Sequence, residues 1–171
     1  MTHDIASSAA QAPATLIREE LDDLVSYAIH LVGDTSAATE YVVAGIAHTL
    51  RYPPPQWNQD ARASLYRAVT RACRQKTSYP PRPKGLSRLF RHRTHPVFVD
   101  IDTQLVSKVN TVKRALMTMP FERRASLLLR DFAGLEYREV ARVLECSPAS
   151  AGRSVAMARR EFGTIFREIA I

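Results

Sequence analysis

Six side chains close to the C-terminus, Ser150, Arg153, Ser154, Met157, Arg159 and Arg160, lie within eleven residues. Guanidinium and hydroxyl donors at this density suit phosphate oxygens and base edges. They are interleaved with Ala151, Val155, Ala158 and Phe162, which recur at the spacing of one buried helical stripe. One face anchored and short polar or basic side chains free is the division a DNA-reading helix needs. The plainer alternative is a surface helix on a bundle.

The elements that must hold this face are legible just upstream. Gly134 breaks an apolar run (Leu127, Leu128, Leu129, Phe132). A short helix should then place Tyr137, Val140, Ala141 and Leu144 on one buried face. A tight Glu145-Cys146 turn follows. Ser147 can cap the next helix, and Pro148 suits its first position. Two short helices at this spacing predict a helix-turn-helix. Before it, a helix from Thr103 to Thr118 should turn Leu105, Val106, Val109, Val112 and Leu116 inward.

The N-terminal half reads as three further helices. Leu16 to Val32 carries a clear apolar stripe, and Gly33-Asp34-Thr35-Ser36 stops it and can cap a helix from Ala37 to Arg51. Prolines 53, 54 and 55 end that helix. Gln56 to Asp60 is expected to be a polar loop holding Trp57, the single tryptophan. A third helix, Ala61 to Lys76, should bury Leu65, Ala68, Val69 and Ala72 and spread Arg62, Arg67, Arg71 and Arg74 over the rest of its surface.

Charge separates the two halves. The net +7 is distributed as −1 over residues 1–78, +3 over 79–104 and +5 over 105–171. Basic excess confined to the later segments suits a polyanionic partner, or a merely solvated basic surface. The segment 79–104 reads as a flexible linker, with Arg82, Lys84, Arg88, Arg91 and Arg93 among prolines. Residues 1–15 read as a disordered tail. His92 and His95 have no further ligand nearby, so no metal site is expected. Cys73 and Cys146 suit separate, buried, reduced thiols.

No catalytic constellation, glycine-rich phosphate loop or cofactor motif is present in the sequence. No stretch has the length of a membrane span, and the first fifteen residues lack the pattern of a secretory signal. The expectation is a non-enzymatic cytoplasmic protein without cofactor. Its fold class would be all-α, with two small helical domains, 16–78 and 105–171, on a flexible basic linker.

The order of motifs over 115–159 resembles the C-terminal domain of extracytoplasmic-function (ECF) sigma factors. The matching residues are Ala115-Leu116, Met119-Pro120, Glu122-Arg123, Leu128-Leu129-Arg130, Gly134-Leu135, Tyr137, Glu139-Val140-Ala141, Leu144, Cys146-Ser147 and Ala158-Arg159. Residues 16–76 resemble the family's N-terminal domain through Leu31-Val32-Gly33-Asp34, Leu50-Arg51 and Ser64-Leu65-Tyr66-Arg67. The resemblance implies a bacterial transcription initiation factor. Its recognition helix, through the six side chains named first, would read a promoter −35 element.

By the same resemblance Asp34, Glu40, Tyr41, Val43 and Ala44 would bind core RNA polymerase. Trp57, Asn58, Arg62, Arg67, Arg71 and Arg74 would meet the opened −10 strand, and an anti-sigma protein would be a further partner. The chain is divergent from the family. Its clamp-facing helix keeps only Glu40 as an acid, with Asp34 just ahead of it. Glu145 stands where a glycine is usual, and the recognition helix has Ser150-Ala151-Gly152-Arg153-Ser154 in place of a more basic run. The alternative is a sigma-like DNA-binding regulator, or a mimic that binds an anti-sigma protein without initiating transcription.

Overall fold

Apolar residues at helical spacing, punctuated by glycine and proline, give a chain of helices. The computed structural model describes residues 13–54, 57–77 and 103–170, and among these no strand occurs. The basic segment 79–102, with His92 and His95, and most of the N-terminal tail lie outside the described residues.

The first three helices are α1 (Pro13–Val32), α2 (Thr35–Arg51) and α3 (Trp57–Thr77), each packed on the other two. Their core is Leu24, Tyr27, Ala28 and Leu31 against Ala38 and Val42, closed by Leu65, Tyr66, Val69 and Cys73. Polar groups drawn into it are satisfied. The Tyr27 hydroxyl lies 2.8 Å from Thr70 Oγ1, which itself donates to the Tyr66 carbonyl, and the two tyrosine rings meet edge-on at 5.3 Å. Burial pushes the Cys73 thiol up to about 12, so it stays protonated.

Asp34 caps α2, its carboxylate accepting the Ala37 N–H at 2.7 Å. The helix α3 opens at Trp57, not near Ala61 as expected. A chain leaving prolines can enter a helix at once, and the acid Asp60 in the first turn complements the helix dipole. Residues 57–60 therefore form the first turn of α3 instead of a loop, and Gln56 lies outside the described residues.

The second half comprises α4 (Thr103–Thr118), α5 (Phe121–Leu127), α6 (Tyr137–Leu144) and α7 (Pro148–Ile169). At its end α5 widens into one π-helical turn, Leu128–Phe132. Arg124 is buried at the α4–α5 corner, where it donates to the Leu116 carbonyl at 3.1 Å, and burial lowers its pKa. A cation there meets the negative end of α4.

Several inward assignments shift. On α4, among the residues whose side chains are described, Ala115 and Leu116 are buried, with Met119 just beyond, whereas Val109 is 57% exposed and Val112 is also exposed; the side chains of Leu105 and Val106 lie outside the described residues. From Lys108 onward, burial on α4 thus falls in its last turn. On α6, Val140 and Ala141 are buried as expected, but Tyr137 is exposed and Val143 takes its place inside. Cys146 is exposed, because it sits in the turn outside the α6 stripe.

The two halves touch. An added Cβ at Gly33, whose φ is +79°, would lie 2.6 Å from Met117 Sδ, so the α1–α2 turn docks on the end of α4. The ring of His30 packs edge-on against Phe132 at 5.1 Å, and burial, with a smaller push from Lys113, lowers its pKa. Folding therefore favours neutral His30. Stability should be flat above about pH 6.5 and fall as pH drops below it, because the unfolded chain takes up the proton first. Denaturant titrations at pH 7.5 and 5.5 should show this loss, and His30→Gln should reduce it.

Candidate nucleic-acid interface

The helix-turn-helix is built by α6 and α7. The Glu139 carboxylate accepts the Glu136 N–H at 2.8 Å, fixing the start of α6. Glu145 ends α6 in the left-handed region, φ 56° and ψ 45°. A side chain there costs on the order of 1–2 kcal/mol, which explains why the position usually holds glycine. Ser147 then caps α7, accepting the Ser150 N–H at 3.2 Å, with Pro148 at the first position.

Ala151, Val155 and Ala158 are fully buried and anchor α7, while Phe162 is half-buried against the same core. At 100° per residue, Arg153, Arg160 and Arg167 project almost opposite that stripe. All three are exposed, and among the described residues none is paired with a carboxylate. Arg153 donates to Ser150 Oγ at 3.0 Å, which lies 2.9 Å from Ser147 Oγ. Arg160 and Arg167 reach only carbonyls of their own helix.

A row of guanidiniums seven residues apart, roughly 10 Å per step, is a track suited to a polyanion. Met157 stands 44% exposed on the same face, where an apolar group can meet a thymine methyl. Ser154 lies toward its edge. The sequence reading overlooked Arg167, whose position fourteen residues after Arg153 was the available signal.

Arg159 lies elsewhere on the helix. It grips Asp131 with two bonds, 2.9 and 2.5 Å, and so braces α7 against the π-helical turn. Of the six C-terminal candidates, the structure gathers Ser150, Arg153, Ser154, Met157 and Arg160 on the outward side and turns Arg159 aside.

The α3 candidates divide similarly. Arg67 is exposed at the rim of a groove of about 300 Å³ between α2 and α3, with His48, Thr49 and Tyr52 across from it. Arg62 pairs with Glu20 at 2.8 Å and donates to the Ala133 carbonyl at 2.8 Å. Arg71 pairs with Glu145 at 2.5 Å and Arg74 with Glu122 at 2.8 Å. Trp57 and Asn58 occupy the first turn of α3, and their side chains lie outside the described residues.

On α2, Asp34 is occupied by its cap, Glu40 is exposed and Tyr41 is half-buried. Val43 is 63% and Leu50 52% exposed, seven residues apart on one face, with Ala44 and Ala47 exposed beside them. That strip has the mixed apolar and acidic character of a partner-binding surface.

The fold and its exposed arginine face define a helix-turn-helix protein of the DNA-binding class. Residues 110–162 match the family model for sigma-70, region 4. These residues thus form a domain similar to sigma-70 region 4, which points to a family of promoter −35-binding sigma factors. A search of curated proteins returned no match. The helices α1–α3 precede the matched residues. Among the described residues, no helix is long and apolar enough to cross a membrane.

Proposed function

We propose that the chain is a divergent ECF-type initiation factor, non-enzymatic and cofactor-free, acting in the cytoplasm. It would consist of an N-terminal domain (16–78) and a C-terminal domain (105–171) joined by the basic segment 79–104. The observation that carries this reading is the outward row of unpaired arginines on α7 of a region 4 helix-turn-helix. Arg153 and its neighbours would read the −35 element, while Arg67, with Trp57 and Asn58, would approach the −10 strand. The α2 strip around Glu40, Val43 and Ala44 would seat on core RNA polymerase, and an anti-sigma protein would compete for these surfaces.

A second reading draws on Asp34, whose carboxylate is engaged within its own helix. Glu40 is then left as the acid of the clamp-facing strip, which suits a sigma-like regulator or an anti-sigma-binding mimic that no longer initiates. Purified protein mixed with core polymerase separates the two. Co-elution with promoter-dependent transcripts supports initiation, whereas DNA binding without co-elution supports the regulator.

The two acids of α2 should behave differently. Asp34→Ala should cost about 1 kcal/mol of stability through the lost cap. Glu40→Lys should leave stability within about 0.5 kcal/mol and abolish polymerase co-elution. Thermal melts and size-exclusion runs on each variant check this. Unchanged co-elution of Glu40→Lys would move the contact off α2.

A further inference from the structure

Away from the outward arginines of α7 lies a largely apolar hollow at the junction of the two halves. It holds about 320 Å³ between α1, α4, the π-helical turn and the inner side of α7. Leu116, Leu127, Leu128 and Phe162 form its walls. Val112 and Phe132, 37% and 44% exposed, form its mouth. The backbone keeps it open. The Ala133 N–H donates to the Leu128 carbonyl five residues back, at 2.9 Å, and this wider turn carries Leu128, Asp131 and Phe132 around the cavity. Turns of this π-helical kind are frequent at functional sites.

Three polar side chains reach the hollow, His30, Asp131 and Arg159, and they set the charge of what it can hold. Arg159 donates to both Asp131 oxygens, at 2.9 and 2.5 Å, so the rim presents a closed ion pair. An anionic ligand would be repelled by Asp131 and a cationic one by Arg159. Burial, with a smaller push from Lys113, lowers the His30 pKa, so its ring is neutral at pH 7. That ring meets Phe132 edge-on, and among the described residues it makes no hydrogen bond. A neutral imidazole has one ring nitrogen to accept and one N–H to donate.

We propose that this hollow is a binding site for a small uncharged aromatic molecule of two fused rings, whose N–H or O–H donates to the His30 imidazole. Apolar cavities of about 150 Å³ take up benzene, so about twice that volume suits two fused rings. Ligand sites typically combine an apolar lining with a few fixed polar groups, and this volume falls at the small end of their range. The leucines would bury the rings, and Phe132 at the mouth would meet them edge-on or offset-stacked. The cavity faces the side of α7 turned away from Arg153 and Arg160, so its occupancy leaves both free to contact DNA. The inference goes beyond the promoter reading and does not depend on it.

The test titrates indole into the full chain, labelled at its leucine and valine methyls, and follows them by NMR. The methyls of Val112, Leu116, Leu127 and Leu128 should shift together, with a Kd of about 1 mM or below. Those of Val25, Val42 and Val43, which line a groove between α1 and α2, should not move. 1-Methylindole lacks the N–H and should bind roughly 2- to 12-fold more weakly, the worth of one hydrogen bond. His30→Phe should remove that difference between the two probes. Benzoate and benzylamine should both bind more weakly than indole. Val112→Phe fills the mouth at an exposed position, and should abolish the leucine shifts while the spectrum stays that of a folded chain.

No methyl shift up to the solubility of indole would overturn the site, as would shifts confined to the α1–α2 groove or undiminished in Val112→Phe. Equal affinity of wild type for indole and 1-methylindole would overturn the His30 contact. Tighter binding of benzoate or benzylamine would overturn the uncharged class. Each of these results leaves the α7 assignment intact.

Discussion

Gly45→Val should be among the most destabilising single substitutions in this protein, lowering the unfolding free energy by about 3 kcal/mol. An added Cβ at Gly45 would lie 2.8 Å from Val69 Cγ2, 2.9 Å from the Val69 nitrogen and 3.0 Å from its Cα. Two of those three atoms are backbone, so a rotamer change cannot make room and α2 must lift from α3. Overpacking of this kind costs about 1–3 kcal/mol and occasionally more, and valine adds methyls beyond the Cβ. Gly152 is the internal contrast. Nothing lies within 4 Å of its added Cβ, so Gly152→Ala should gain up to about 1 kcal/mol of helix propensity. With roughly 2–4 °C per kcal/mol for a chain of this size, melts should show Gly45→Val lower by about 6–12 °C and Gly152→Ala slightly higher. Equal melting points for Gly45→Val and wild type would mean that the α2–α3 crossing is not the close one described.

The second large effect is on specificity. Arg153 projects from the second turn of α7, exposed and free of any carboxylate among the described residues, with Ser150 Oγ 3.0 Å away to steady it. Arginine so placed can bond guanine O6 and N7 together, which discriminates by about 1–3 kcal/mol. Arg153→Ala should therefore lose roughly 5- to 150-fold in preference at one base pair and little at the others. Arg160→Ala, one helical repeat further along, should weaken all duplexes alike, as phosphate contacts do. Arg159→Ala should act mainly on stability, because its guanidinium is committed to Asp131. Titrations against the best duplex and its single-pair variants separate these three behaviours. A uniform loss for Arg153→Ala would make it a phosphate contact.

Sequence reading succeeded where structure is local. The α6–turn–α7 unit follows from an apolar period, a break at Gly134 and the Ser147-Pro148 cap, each set by residues within a turn or two of one another. The strained Glu145 was visible for the same reason. It failed where the deciding partner is distant. Nothing near Arg159 announces Asp131, 28 residues away, and nothing near Arg71 announces Glu145, 74 residues away.

Long-range packing also decides how far along a helix its stripe is covered. The stripe of α4 runs through Val109 and Val112, yet both are exposed, and Ala115 and Leu116 further along are buried. Gly45 likewise depends on a distant partner. A glycine inside a helix looks like a weakness, and only the facing backbone at Val69 shows why it is small.

Sequence selection from a random duplex pool tests most directly whether α7 reads DNA. Wild-type protein should enrich one short element containing a guanine whose identity becomes variable when the selection is repeated with Arg153→Ala. An unenriched pool, or the same element with the same constraint from both proteins, would contradict the account and leave α7 as scaffold.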